Sequence, residues 1–383
     1  MQLKLRKLLP AFGLMCVSMF ATASANPYNN SQSDSMSSSQ GSKDMSGKGT
    51  YERGTYREIT PTAGPRVAHG ADVFITADFI YWKAVQDGLD YAITGVIGNG
   101  AAASGLVTVP PGITGKGSVS NPGFSFEPGF KVGLGLNLGH DGWDINAEYT
   151  WYHSNQSNST SGVGITNGVP AISTSLVALG DVKRSGSWDL HFNVIDLELA
   201  RSFYVSQFLT LRPHVGLKST WQDQDYKITI DPSNGFQTQS AQAPIANPYY
   251  SSQCHDTWGI GTRVGIDTSW YFVKNWSVYG NVAWTAMWTD YDVDRKDTLR
   301  LDDSNTITYV NTNNSSYGVR FIGEFELGLR WEIWFYDDNY HFAIQAGWEE
   351  QIWINYGNFI RLYNDVSGDL NMHGLNLKLR FDF

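Results

Sequence analysis

The last eleven residues, His373 to Phe383, alternate strictly in polarity. Leu375, Leu377, Leu379, Phe381 and Phe383 are apolar, and Asn376, Lys378, Arg380 and Asp382 stand between them. A period of two marks a β-strand with one oily face and one wet face. The run ends on an aromatic residue, a common close for the final strand of a bacterial outer-membrane barrel. The expectation is therefore a strand that meets lipid on one side and water on the other.

The amino terminus points to the same compartment. Lys4, Arg6 and Lys7 precede an apolar run from Leu8 to Ala21, and Ala23, Ser24 and Ala25 supply small residues before Asn26. This pattern predicts a cleaved secretory signal over residues 1–25, because the apolar run is too short to span a bilayer. Its removal leaves Cys254 as the remaining cysteine, so an intramolecular disulfide is not expected. It also shifts the net charge from −10 to about −13, too acidic for a nucleic-acid partner. Residues 26–70 are rich in Ser, Asn, Gln and Gly, and are expected to form a disordered tail.

Residues 71–383 read as strands and turns throughout. Val73, Ile75, Ala77, Phe79 and Tyr81 share one face of a first strand. Phe126, Phe130, Val132, Leu134 and Leu136 share a face of a second. Eight further alternating runs follow, one of which changes register near Val194 and Ile195 and so predicts a bulge. The expected connections near 139–142, 204–207, 273–275 and 336–339 are short. Those near 83–123, 153–187, 223–256, 289–316 and 355–371 are long and polar. Short periplasmic turns alternate with long external loops in bacterial barrels. The predicted fold is an all-β, antiparallel, up-and-down transmembrane barrel of about ten strands, both ends periplasmic. Twelve strands result if Leu89 to Ile97 hides another strand with a partner.

Tryptophans fit two interfacial girdles: Trp143, Trp270 and Trp276 beside short turns; Trp82, Trp151, Trp221, Trp258, Trp288, Trp348 and Trp353 beside long loops. A large soluble barrel or sandwich with an aromatic core is the competing architecture. It leaves the leader, the terminal Phe and the loop rhythm jointly unexplained.

If the apolar faces meet lipid, the alternate residues face a lumen. The candidate pore-lining set is Glu127, Lys131, Asp144, Glu148, Asp196, Glu198, Arg212, Lys218, Arg263, Asp267, Arg320, Glu324, Glu326, Arg330, Lys378 and Arg380, with Asp78 and Glu332 in the same phase. A charge on the lipid face costs about 2–4 kcal/mol near the midplane, so confinement to one face implies a wet interior. The set either lines an ion-conducting passage or pairs across the lumen and fills it. Both signs occur in similar number, so strong ion selectivity is not expected.

No catalytic residue, metal or cofactor is expected. His153, His255 and Asp256 lie near the outer rim, but neighbours such as His255 and Asp256 point oppositely in a strand, and no nucleophile motif accompanies them. The histidines are scattered without metal-ligand spacing. Gly133 and Gly135 fall inside a strand and form no phosphate loop.

Several stretches resemble a known family. They are Asp78 to Lys83 (DFIYWK), Asp87 to Ala92 (DGLDYA), Pro128 to Gly135 (PGFKVGLG), Asp141 to Asp144 (DGWD), Asp196 to Arg201 (DLELAR), Leu211 to Lys218 (LRPHVGLK) and Trp348 to Gln351 (WEEQ). Their order, spread over residues 71–383, resembles the Legionella-type pore-forming major outer-membrane proteins, a family that includes the MOMP-like proteins of environmental chlamydiae. The resemblance implies a porin in the outer-membrane bilayer that passes ions and small hydrophilic solutes, sometimes linked to host-cell attachment. It carries over no catalytic residues. The sparse cysteine departs from the cysteine-rich chlamydial porins, so their disulfide cross-linking is not transferred. The alternative is a surface adhesin whose long loops bind the host cell while the barrel serves as a mount.

Overall fold

The computed structural model describes residues 63–65, 67, 72–94, 116–138, 142–162, 164–166, 177–178, 182–232, 236–237, 248–300, 305–360 and 368–383. The leader and most of the Ser- and Asn-rich segment lie outside them.

Ten antiparallel strands close into a ring: β1 (Val73–Gln86), β2 (Phe126–Asn137), β3 (Trp143–Gly162), β4 (Val182–Arg201), β5 (Leu209–Pro232), β6 (Tyr249–Val273), β7 (Trp276–Arg300), β8 (Thr306–Phe335), β9 (Tyr340–Gly357) and β10 (Gly368–Asp382). Each pairs with its neighbours in sequence, and β10 pairs with β1 from Asp382 opposite Phe74 to Leu370 opposite Gln86. The amide of Phe383 donates to the carbonyl of Val73, and the amide of Val73 donates to the carbonyl of Phe383. Closure leaves no open edge, which is what lets strands sit in lipid.

Ala92–Thr94 is a strand, but it pairs with Ser118–Ser120 and Gly164–Thr166 in a separate small sheet. The ring therefore stays at ten.

The lower part of the barrel is inside-out. Ile75, Phe79, Phe130, Leu134, Leu197, Leu217, Val264, Phe325, Leu327 and Leu377 are exposed on its outer face. So large an exposed apolar belt demands a lipid partner. Trp270 and Trp276 border it beside the short turns; Trp258, Trp288 and Trp348 border it on the far side. Trp82 and Trp353, expected in the outer girdle, are instead buried inside the barrel. At the base of β8 and β9, Tyr336, Asp337 and Asp338 all take positive φ (58°, 54° and 61°) and reverse the chain as expected for a short turn.

The long connections are shorter than the sequence suggests, because the strands continue into them. β5 has 24 residues, β6 and β7 have 25 each and β8 has 30. About 9–11 residues suffice to cross a bilayer, so each of these strands rises well above it. Beyond the outer tryptophans the two faces exchange character. Asp256, Asp290, Asp292 and Asp294 point outward, while Tyr226, Ile228, Tyr249, Tyr291, Val293 and Leu299 are buried within.

β4 shows the exchange on one strand. The expected bulge at Val194 and Ile195 is absent: pairing with β3 and β5 runs through both residues without a shift. Trp188, Leu190, Phe192 and Val194 are buried in the same phase as Asp196. The polarity changes there because the inner surroundings change, not because the register slips.

Candidate functional site

The inward faces of the lower barrel enclose a cavity of about 330 Å³. The space is many times the roughly 10–15 Å³ that a single water needs. Its wall reaches from Tyr204, Trp334 and His341 near the short turns to Phe192 and Gln351 above. Nine carboxylates and seven Lys or Arg side chains line it among the described residues, a small acidic excess.

The charges fall into two linked groups. On one side Lys131 Nζ donates to both oxygens of Glu349 at 2.8 Å. Lys378 Nζ lies 2.8 Å from Glu148 and 3.4 Å from Asp78. Glu326 accepts from Tyr279 Oη at 2.6 Å and from Asn281 at 3.1 Å. On the other side Arg212 contacts Asp144 at 2.6 Å and Asp267 at 2.5 Å, and Lys218 contacts Asp196 at 2.9 Å and Glu324 at 2.7 Å. Arg263 joins Glu324 at 2.5 Å and also bonds Glu198. Cross-strand register makes these pairs: Asp78 faces Lys131 and Lys378, Lys218 faces Asp196, and Arg212 faces Asp267.

Lower down, Arg380 bonds Asp382 and stacks on Phe74, with its guanidinium carbon 3.8 Å from the ring centroid. Gly135 leaves room for that ring, since a Cβ there would run into it. Arg330 Nη1 donates to Ser269 at 3.1 Å.

Thirteen of the sixteen candidates thus line one cavity. Asp144 stands just behind its wall, held by Arg212. Glu127 accepts from Gln156, and Arg320 donates to Tyr291 Oη at 3.2 Å; neither belongs to the cavity wall. Glu349 is missing from the candidate set, although its phase on β9, opposite to the lipid-facing Ile344, Ala346 and Trp348, marks it as inward.

Above the charges the lumen fills with apolar side chains. Trp82, Tyr152, Leu190, Phe192, Trp353, Tyr356 and Phe359 belong to one buried cluster with Leu89 and Tyr91. Phe192 meets Trp353 edge-on at 5.3 Å, and Trp353 meets Tyr356 at 4.9 Å. Tyr152 Oη donates to the Trp82 carbonyl, and Tyr226 Oη donates to the Leu89 carbonyl. The boundary is sharp. Lys131 Nζ lies 4.9 Å from the Trp82 ring, and a chain of hydrogen bonds runs from Glu349 through Gln351 to the Trp353 indole. Side chains lining an open channel would be wetted, and these are not. Among the described residues the outer half of the lumen holds this apolar cluster beside buried polar side chains such as Gln222, Gln224 and Gln253.

His255 belongs to this packing, between Tyr291 and Phe359, each 5.5 Å away. Asp256 points to the opposite face. His153 and His191 depart from the expected scatter: register places them side by side, and their rings stack at 4.3 Å.

A family model described as the Legionella pneumophila major outer membrane protein precursor matches residues 65–383. The chain belongs to the Legionella major outer membrane protein family. It is an outer-membrane β-barrel in contact with the lipid bilayer. Among solved structures it is similar to the Escherichia coli outer membrane protease OmpT, with 11% identity over 82% of this chain and 97% of that one, TM-score 0.35. A Pseudomonas aeruginosa FadL homologue has 9% identity over 81% and 89%, TM-score 0.26. A major outer membrane protein from Thermus thermophilus has 9% identity over 80% and 99%, TM-score 0.22. No curated protein matches the chain.

Proposed function

We propose that this family member is a gated diffusion pore for ions and small hydrophilic solutes, with the apolar cluster as its gate. The observation that supports this is the charged cavity at the depth of the lipid belt. Ionised groups at that depth are costly to keep, and a passage that admits water and ions gives them a use. The packed aromatics above form a hydrophobic constriction of the kind that closes a pore by excluding water. The near balance of lining charge favours weak selectivity, tilted toward cations. No step of bond making is assigned to the barrel.

Planar-bilayer recording on refolded protein tests the proposal. The wild type should give small or infrequent conductance steps, and Trp353→Ala should give larger or more frequent ones. Absence of steps from both proteins over a range of voltages would refute it.

The adhesin alternative draws support from the strand length above the lipid belt, which presents a polar outer wall to other cells. Beads coated with the protein should then lose host-cell attachment when residues 233–248 are deleted. Unchanged attachment would count against it.

A further inference from the structure

The geometry points to a binding site for a late first-row transition-metal ion, zinc above all, on the outer wall of the barrel at His153, Asp189 and His191. Register puts His153 of β3 opposite His191 of β4, and Asn155 opposite Asp189. Asp189 and His191 are two apart on one strand and so share its outer face with His153. The three side chains converge: His153 Nε2 lies 3.2 Å from Asp189 Oδ2, and His191 Nε2 lies 3.1 Å from Asp189 Oδ1. Every pair among the three ligand atoms is within 4.8 Å.

These spacings suit a metal shell. Zinc sits about 2.0–2.2 Å from imidazole nitrogen and carboxylate oxygen, which puts tetrahedral ligands about 3.3–3.5 Å apart. Each imidazole nitrogen is already close to that distance from one of the two carboxylate oxygens of Asp189. To aim both in-plane lone pairs at one ion, the imidazoles must turn out of their 4.3 Å stack. Asn155 Nδ2 donates to Asp189 Oδ2 at 2.6 Å and holds the carboxylate in place, as outer-shell partners of metal ligands do.

The ion needs no passage through the lumen. The side chains of His153, Asp189 and His191 are 34%, 24% and 52% exposed, two residues above Trp151 on the strand and so just clear of the lipid belt. The fourth position faces outward, where water completes the shell. Two imidazoles and one carboxylate suit zinc, copper or nickel better than calcium or magnesium, which prefer all-oxygen shells. The site ties β3 to β4 at the level where the barrel leaves the membrane.

The test is calorimetric titration of zinc chloride into the refolded full chain in detergent. The expected result is saturable binding of one ion per chain, weakened at least tenfold by His191→Asn and by His153→Asn, and unchanged by His373→Asn. Copper substituted into the same protein should show a resonance split by two nitrogens, a signature that hydrogen bonding alone does not give. Both histidine variants lie on the exposed wall and should keep the heat-modifiable gel mobility of a folded barrel. Absence of saturable binding, or equal binding by the wild type and both variants, would overturn the assignment.

Discussion

The lower and upper parts of this barrel share long strands, β5 to β8 among them, that carry opposite polarity in the two. Within the lipid belt Leu197 and Val264 face out and Asp196 and Arg263 face in. Above it Asp290 and Asp292 face out and Tyr291 and Val293 face in. The strand phase does not change between them. The solvent outside changes from lipid to water, and the favourable interior changes with it. The lower half follows the rule for a membrane barrel, and the upper half follows the rule for a soluble one. The charged chamber thus lies directly beneath a buried aromatic cluster.

The buried ion pairs should expose this difference most strongly. Arg295 and Asp297 are 2.8 Å apart with both side chains fully buried in the upper half. Asp297→Ala takes the carboxylate away from a buried guanidinium and should destabilise the protein by about 3–5 kcal/mol in urea unfolding from detergent or vesicles. Trp353→Ala removes a large side chain from the lid and should cost a similar 3–5 kcal/mol in the same assay. A cost below 1 kcal/mol for both would mean that the upper half is not packed.

Substitutions in the lipid belt, the chamber and the outer wall should have progressively smaller effects. Leu327→Arg introduces a charge on the lipid face and should cost about 2–4 kcal/mol, measured by refolding into vesicles. Lys378→Met leaves the Asp78 and Glu148 carboxylates without their ammonium partner and should cost about 1–3 kcal/mol. The smallest effect is expected for Asp292→Asn, on the watery wall above the belt, within about 0.5 kcal/mol of the wild type. Equal costs for Leu327→Arg and Asp292→Asn would remove the distinction between the two halves.

The lower half is legible in the sequence because lipid forces apolar residues onto one face while charges mark the other. Phe130, Val132 and Leu134 against Lys131 show this without knowledge of neighbours. The upper half is harder to read. Residues 289–294 alternate as regularly, but their apolar members point inward, and the polar run Arg295 to Thr298 that follows reads as loop. On β4 the same inversion imitates a bulge at Val194 and Ile195. Trp82 and Trp353 read as girdle residues because an indole suits an interface as well as a core; only strand phase separates the two. His153 and His191 look solitary along the chain because their proximity depends on cross-strand register, which spacing in sequence does not encode.

Cysteine accessibility along β4 tests the divided lumen most directly. In a Cys254→Ser background, the variants Trp188→Cys, Leu190→Cys, Asp196→Cys and Glu198→Cys place a thiol on one inner face at successive heights. A small charged methanethiosulfonate reagent should modify the thiols at positions 196 and 198 rapidly, and leave those at 188 and 190 protected by at least a hundredfold. Comparable rates at all four positions would show water running the full height of the lumen and would contradict a dry lid above a wet chamber.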